Sequence, residues 1–388
     1  MELKRICQKI NCWDEIVTAQ QKKDLYSQNI VPDAFPDALA VGESCAVVQV
    51  KTKQVLQGRV DLSGEVLAVT TYSAQEAGVW SVKTSMPFTA RFDDERIEPS
   101  DTAILKIRPE RVAAKVINSR KIGTEALLAI ALEVYRKTEK EICCAIEDEE
   151  RYGVLTRKRT VKQNFVCSAA QKSFEIKDTV DLGVNSAGAQ ELINTEFSLE
   201  TGDSKVVGSK MILKGILSVD CRYKTYEGTV QSCRAQLPFS QILDIECAED
   251  CRSDISFYFE DVDIECSNDG YYEGKALSLT ANITVQAVCR CTGEIECIED
   301  IYSTVFELDS GFESVGEATT LAFARIDEAK PIDRKTMPTF VMRPLAEGEE
   351  LWDAAKRWHT TVDAICSANG ITDGKAPAGK LLLIPVMG

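Results

Sequence analysis

The chain is expected to be mainly β, with two tandem β-rich domains followed by a small C-terminal α+β domain of βααβ order. Three observations predict this. Residues near Gly64 and Gly215 belong to an internal repeat, both copies alternate apolar with polar residues, and the spacing turns helical beyond residue 338. The expected boundaries are 1–150 for the first β domain with its lead-in, 151–310 for the second, 311–337 for a linker and 338–388 for the last domain. A chain of 388 residues exceeds what one ordinary core organises, which agrees with several domains.

The repeat is read by aligning Gly64 with Gly215, after which the register runs without a gap. Thr71-Tyr72 falls on Arg222-Tyr223, Met86-Pro87-Phe88 on Leu237-Pro238-Phe239, and Asp93 on Asp244. After a one-residue deletion Val112 lies opposite Val262 and Ala126-Leu127-Leu128 opposite Ala276-Leu277-Ser278. Leu56 to Tyr72 and Lys210 to Lys224 are rich in β-branched residues that alternate with polar ones, as strands half-buried in a sheet do. Turn-like interruptions at Ala74–Gly78 and Thr225–Gly228 predict a hairpin around each. Thr280 to Cys291 is another strand, and short helical pieces are expected near Cys12 to Leu25. Pro87 and Pro238 would each cost a central strand a ladder bond, so they belong at an edge or a bulge. Ser310 to Pro338, with Gly311, Gly316, Pro331 and Pro338, reads as a final edge strand or two and then a linker.

The net charge is -16, and its distribution is uneven. Between Gln241 and Glu328 stand 21 Asp and Glu against four Lys and Arg, which leaves the rest of the chain near neutral. Such a block repels a phosphate backbone and argues against nucleic acid as a partner. It reads as a solvated acidic face that keeps the protein soluble. No run reaches the ~18 apolar residues of a membrane helix, so no membrane insertion is expected. Ile6-Cys7-Gln8-Lys9 is no apolar signal core, and the protein is expected to stay in the compartment where it is made.

Fifteen cysteines in a reducing compartment are expected to be mostly small buried hydrophobes, with a minority of exposed thiols able to cross-link in an oxidising layer. Cys289 and Cys291 would share one strand face, and two thiolates do not complete a tetrahedral shell, so no metal site is expected. Catalytic patterns are missing too. The single histidine, His359, reads as a helix-end residue, no phosphate loop occurs, and no cofactor is expected. Asp261, Asp263 and Glu265 alternate on one strand face and read as a solvated edge. The chain is therefore read as a non-enzyme.

Beyond residue 338 the elements change. Thr339 to Arg343 is a short strand, and Glu350 to Trp358 a helix whose Leu351, Ala354, Ala355 and Trp358 share one face. Thr360 is expected to cap a second helix with Asp363 reaching back, Asn369-Gly370 to end it, and Leu381 to Pro385 to close the sheet. Core and caps read as self-contained, so this segment is expected to fold alone when cut near Met337. Over Val341 to Val386 the chain resembles the LysM family, in Glu347 to Ala355, Ala368-Asn369-Gly370-Ile371 and Gly379 to Pro385. That resemblance implies binding of peptidoglycan-type sugar polymers or of proteins, in a groove between the loop before the first helix and the loop after the second. Carried onto this chain, the groove residues are Leu345, Gly348, Glu349, Glu350, Leu351, Trp352, Gly370, Ile371, Thr372 and Asp373. Glu349-Glu350 departs from the family, which has Asp followed by Ser or Thr; the capping hydroxyl is lost and an extra carboxylate is expected to line the groove. This favours a protein partner. Trp358 reads as core, and Trp352 as either core or an anchor for the partner.

The doubled β unit before this segment resembles the SPOCS-type domains of bacterial spore coat morphogenetic proteins. The resemblance rests on Val31 to Asp37, Leu56 to Val60, Val116 to Ile122 and, most of all, Leu237 to Asp244. It implies a non-catalytic scaffold made in the mother-cell cytoplasm, which joins coat layers on the forespore surface to an ATP-hydrolysing basement-layer protein. Two alternatives stand beside it: a LysM protein that holds peptidoglycan, and a self-assembling spore-surface fibre subunit whose partner is itself.

Overall fold

A computed structural model describes residues 1–75, 78–183, 187–246, 251–267, 274–316, 318–372 and 379–386. It is mainly β with several sheets, as expected. The chain divides into two compact units: Cys12–Thr138 with Phe165–Cys291, and Met1–Asn11 with Glu139–Asn164 and Thr292–Gly388.

The repeat makes up the larger unit, and residues 5–11, 139–146, 154–164 and 292–303 of its strands belong to the smaller one. Its first copy runs β1 (Arg5–Ile30), β2 (Ala40–Leu56), β3 (Arg59–Ser73), β4 (Val79–Asp93), β5 (Thr102–Asn118) and β6 (Lys121–Ile146). The second follows the same plan with β7 (Val154–Asp181), β8 (Ala189–Val207), β9 (Lys210–Thr225), β10 (Val230–Asp244), β11 (Arg252–Cys266) and β12 (Ala276–Ser303). Nine strands form one sheet in the order β4-β3-β2-β11-β12-β7-β1-β6-β5, and β10-β9-β8 form another. The two copies therefore share a sheet: β2 of the first pairs in parallel with β11 of the second, with Gln49 opposite Phe259.

Registers confirm the duplication residue by residue. Gly64 pairs with Phe88 and Glu65 with Pro87, while Gly215 pairs with Phe239 and Ile216 with Pro238. A Cβ on Gly64 would stand 2.1 Å from the Gln49 carbonyl oxygen and 2.8 Å from the Phe88 ring, and one on Gly215 2.3 Å from the Phe239 ring and 2.9 Å from the Glu200 carbonyl oxygen. Each glycine is thus kept by the neighbouring backbone and by the aromatic lying across it. Bulges recur at Glu110 in β5 and Glu260 in β11, the positions the repeat aligns. Pro87 and Pro238 lie on the terminal strands β4 and β10, where a missing N–H leaves no ladder bond unmade. Strict alternation buries Val60, Leu62, Val66 and Ala68 of β3 against Leu128, Ile130, Leu132 and Val134 of β6.

Three local expectations change. Cys12 to Leu25 is strand throughout, because pairing of β1 between β7 and β6 outweighs the helix-forming Glu, Gln and Lys side chains. Leu56 to Tyr72 is broken by a turn at Gln57-Gly58, with Gly58 at φ 75°. The one or two final strands expected in Ser310 to Pro338 are there, as the hairpin of β13 (Phe306–Val315) and β14 (Ala318–Pro331) in which Gly311 again pairs with a phenylalanine, Phe323. They take up most of 311–337, however, the stretch expected to be linker. The described carboxylates of the acidic block are exposed or half-buried, which agrees with a solvated face.

In the smaller unit the chain ends with β15 (Phe340–Arg343), α1 (Leu351–Arg357), α2 (Val362–Asn369) and β16 (Leu382–Pro385), the strands pairing antiparallel.

Candidate binding site

The βααβ segment assembles from short-range signals. Glu350 is the residue before α1, and the Asp353 carboxylate accepts its backbone N–H at 2.9 Å, tying off the first turn. The cap of α2 is Thr361, one residue later than the sequence suggests: its Oγ1 accepts the Ala364 N–H at 3.0 Å. Thr360 is instead buried, and its carbonyl accepts the Tyr302 hydroxyl at 2.7 Å. Gly370 ends α2 in the left-handed conformation at φ 66°. Asn369 is a fastener that sequence reasoning missed. Its Nδ2 donates to the carbonyls of Ile365 at 2.7 Å and Leu383 at 2.6 Å, and its Oδ1 accepts the Leu383 N–H at 2.8 Å, sewing α2 to β16.

The segment's core is not self-contained. Leu351, Ala354, Ala355, Ile365, Leu382 and Ile384 are buried together with Tyr302 of β12, and Leu155 of β7 packs against them. Trp352 faces this same seat. Its Nε1 donates to Asp300 Oδ2 at 2.7 Å, and its ring meets Tyr302 edge-on with centroids 4.9 Å apart. Lys356 completes the arrangement by pairing with the other oxygen of Asp300. Burial works to raise the Asp300 pKa, but the bonds from Lys356 and Trp352 outweigh it, and the carboxyl sits below the usual range. Trp352 is thus committed to β12.

Glu349 differs from expectation as well. Its side chain is only 7% exposed, and Oε2 accepts from the Arg343 guanidinium and from the Ala346 N–H, the latter at 2.8 Å. Arg357 approaches Oε1 at 3.3 Å. The carboxylate folds back into its own loop and holds it, where a hydroxyl could not reach two arginines. It does not line an open groove. Leu345 and Ile371 are half-buried against the core, and Leu351 is buried. Gly348 (φ 80°), Glu350, Gly370 and Thr372 remain exposed, while Asp373 lies outside the described residues. Glu350 reaches Arg157 of β7 at 3.2 Å. What stays exposed of the expected groove is the two loop crests, polar and glycine-rich, over a closed apolar base.

His359 and several cysteines are held by their surroundings. His359 Nδ1 lies 3.1 Å from the Ser303 carbonyl oxygen, at the end of α1. Burial pushes the Cys143 thiol up to about 12 and the Cys45 thiol to about 11, which leaves little thiolate on either near neutral pH. A disulfide joins Cys167 of β7 to Cys291 of β12, and Cys291 packs in the same cluster as Cys289, on the strand face the two were expected to share. Asp261, Asp263 and Glu265 are exposed on β11, with Asp261 paired to Lys51 at 2.7 Å. Among the described residues no group of three or more His, Cys, Asp and Glu is placed to hold a metal, and no helix is long and apolar enough to cross a membrane.

Fold and site together define a duplicated β protein that carries a small βααβ appendage with exposed loops. Residues 189–267, which run from the first residue of β8 through β11, match the family model described as SipL, SPOCS domain. The match supports a SPOCS-type domain in the second copy and with it a sporulation-related role. No curated protein and no solved structure matches the chain.

Proposed function

We propose that the protein is a non-catalytic adaptor of the bacterial spore coat, which joins coat layers by protein–protein contacts through the loops of its βααβ segment. The observation that carries the reading is the SPOCS-domain match over residues 189–267. Strands of both copies share one sheet, which suits a scaffold that must carry contacts without opening. The commitment of His359 to a backbone carbonyl and the raised thiols of Cys45 and Cys143 favour a structural over a chemical role. The partner in this reading is a basement-layer protein of the coat, approached through Gly348, Glu350, Gly370 and Thr372. Timing and place of expression test it. Immunoblots through growth and sporulation, with a fluorescent fusion, are expected to show the protein only in sporulating mother cells, gathered on the forespore surface. A constant level in growing cells, spread over the wall, would favour a peptidoglycan-binding protein instead.

A further inference from the structure

We propose that Cys221 and Cys233 form a reversible cross-strand disulfide site, closed by thiol–disulfide exchange with a small disulfide of the glutathione type. This goes beyond partner binding, since it concerns strands β9 and β10 of the second copy.

Cys221 on β9 and Cys233 on β10 are direct register partners. Residues directly opposite in an antiparallel pair have Cα atoms about 4.5–5.5 Å apart and side chains on one face. That separation lies inside the span a disulfide bridges without backbone movement. Cys221 is 2% exposed, Cys233 is half-buried, and Cys233 and Cys266 both pack against the cluster that contains Cys221. The fold does not require thiols here. In the first copy the equivalent opposed pair is Thr70 and Val82, which closes the same two strands with no sulfur. Closure would fasten the terminal strand β10 to its neighbour inside the segment that matches the SPOCS family.

The step balances as an ordinary exchange. The Cys233 thiolate attacks one sulfur of the small disulfide, forming a mixed disulfide and releasing one small thiolate. Cys221, on losing its proton, then attacks the Cys233 sulfur, forms the Cys221–Cys233 bond and expels the second small thiolate. The two protons lost by the cysteines go to the two leaving thiolates. The protein dithiol is oxidised by two electrons, and the small disulfide is reduced to two thiols. Burial raises the pKa of both cysteines, and it pushes Cys221 further, to about 12. Reaction therefore starts at the more accessible Cys233, and its rate should rise about tenfold per pH unit near neutrality.

The test uses the reduced full-length chain, incubated with oxidised glutathione at pH 8 and pH 9, then digested for peptide mass mapping. The expected result is a linked peptide pair carrying Cys221–Cys233, formed faster at the higher pH. Closure is also expected to persist in Cys266→Ser, and Cys221 to stay unlinked in Cys233→Ser. Linkage of Cys221 to Cys266, glutathione retained on Cys233 beside a free Cys221, or two unreacted thiols after prolonged incubation at pH 9 would each overturn the proposal.

Discussion

Lys53 shows how single residues hold the larger unit together. Its ammonium donates to the Ala103 carbonyl at 2.8 Å, to Gln171 Oε1 at 2.6 Å and to Gln286 Oε1 at 3.1 Å, with the Tyr258 ring 5.3 Å away. Gln286 is fully buried and exchanges bonds with both the N–H and the carbonyl of Leu105. One network thus reaches β2, β5, β7 and β12. Burial drives the Lys53 pKa down to about 8, with the Glu260 charge acting in the opposite sense. The unfolded chain keeps this proton up to the ordinary lysine value of 10.5, so between about 8 and 10.5 unfolding takes up a proton. Stability from this group should therefore rise with pH across that window. Denaturant unfolding of wild type and Lys53→Met is expected to show the difference moving in favour of wild type from pH 8 to pH 10. A constant difference would contradict the depressed pKa. None of this was legible in the sequence, where Lys53 is an unremarkable polar strand position. The same holds at the candidate site: Asp300, Arg343 and Arg357 decide what Trp352 and Glu349 do, and no local spacing links Trp352 to a carboxylate 52 residues away.

At the level of elements the two copies differ where a single residue forbids symmetry. Phe259 of β11 makes the parallel bridge to Gln49 of β2. The repeat places Pro109 of β5 where Phe259 stands and Glu200 of β8 where Gln49 stands. Proline has no N–H to give, and β5 and β8 each end their sheets among the described residues. A cavity of about 490 Å³ lies there, lined by Ile107, Pro109, Phe197, Leu199 and Phe257 among others. Pro109→Val is expected to supply the missing donor and slow amide exchange across Leu199 to Thr201, seen by hydrogen–deuterium exchange. Unchanged exchange there would mean that the seam stays open for another reason. The strands and their hairpins were readable because burial on one face imposes a period of two, visible in Val60 to Tyr72. The partners were not, since parallel pairing of β2 with β11 joins residues 210 apart and leaves no local mark.

Across the whole chain, the repeat told of two copies but not that they share a sheet, and it could not show that the C-terminal segment leans on Tyr302. That dependence alters what the segment should do alone. A fragment beginning at residue 338 lacks Tyr302, Leu155 and Asp300 and is expected to give a poorly dispersed amide spectrum. A well-dispersed, cooperatively melting fragment would show that the seat on β12 is dispensable. The proposed adaptor role requires the exposed loops of the seated segment to receive a protein. The most direct measurement is binding of the purified full-length chain, side by side, to the ATP-hydrolysing basement-layer protein of the coat and to insoluble peptidoglycan. Glu350→Lys and Thr372→Arg serve as loop variants, each first shown to keep the wild-type thermal transition. Saturable binding to the protein is expected, weakened at least about tenfold by the loop variants, with no retention by peptidoglycan. Retention by peptidoglycan that the loop variants abolish, with no binding to the basement-layer protein, would contradict it.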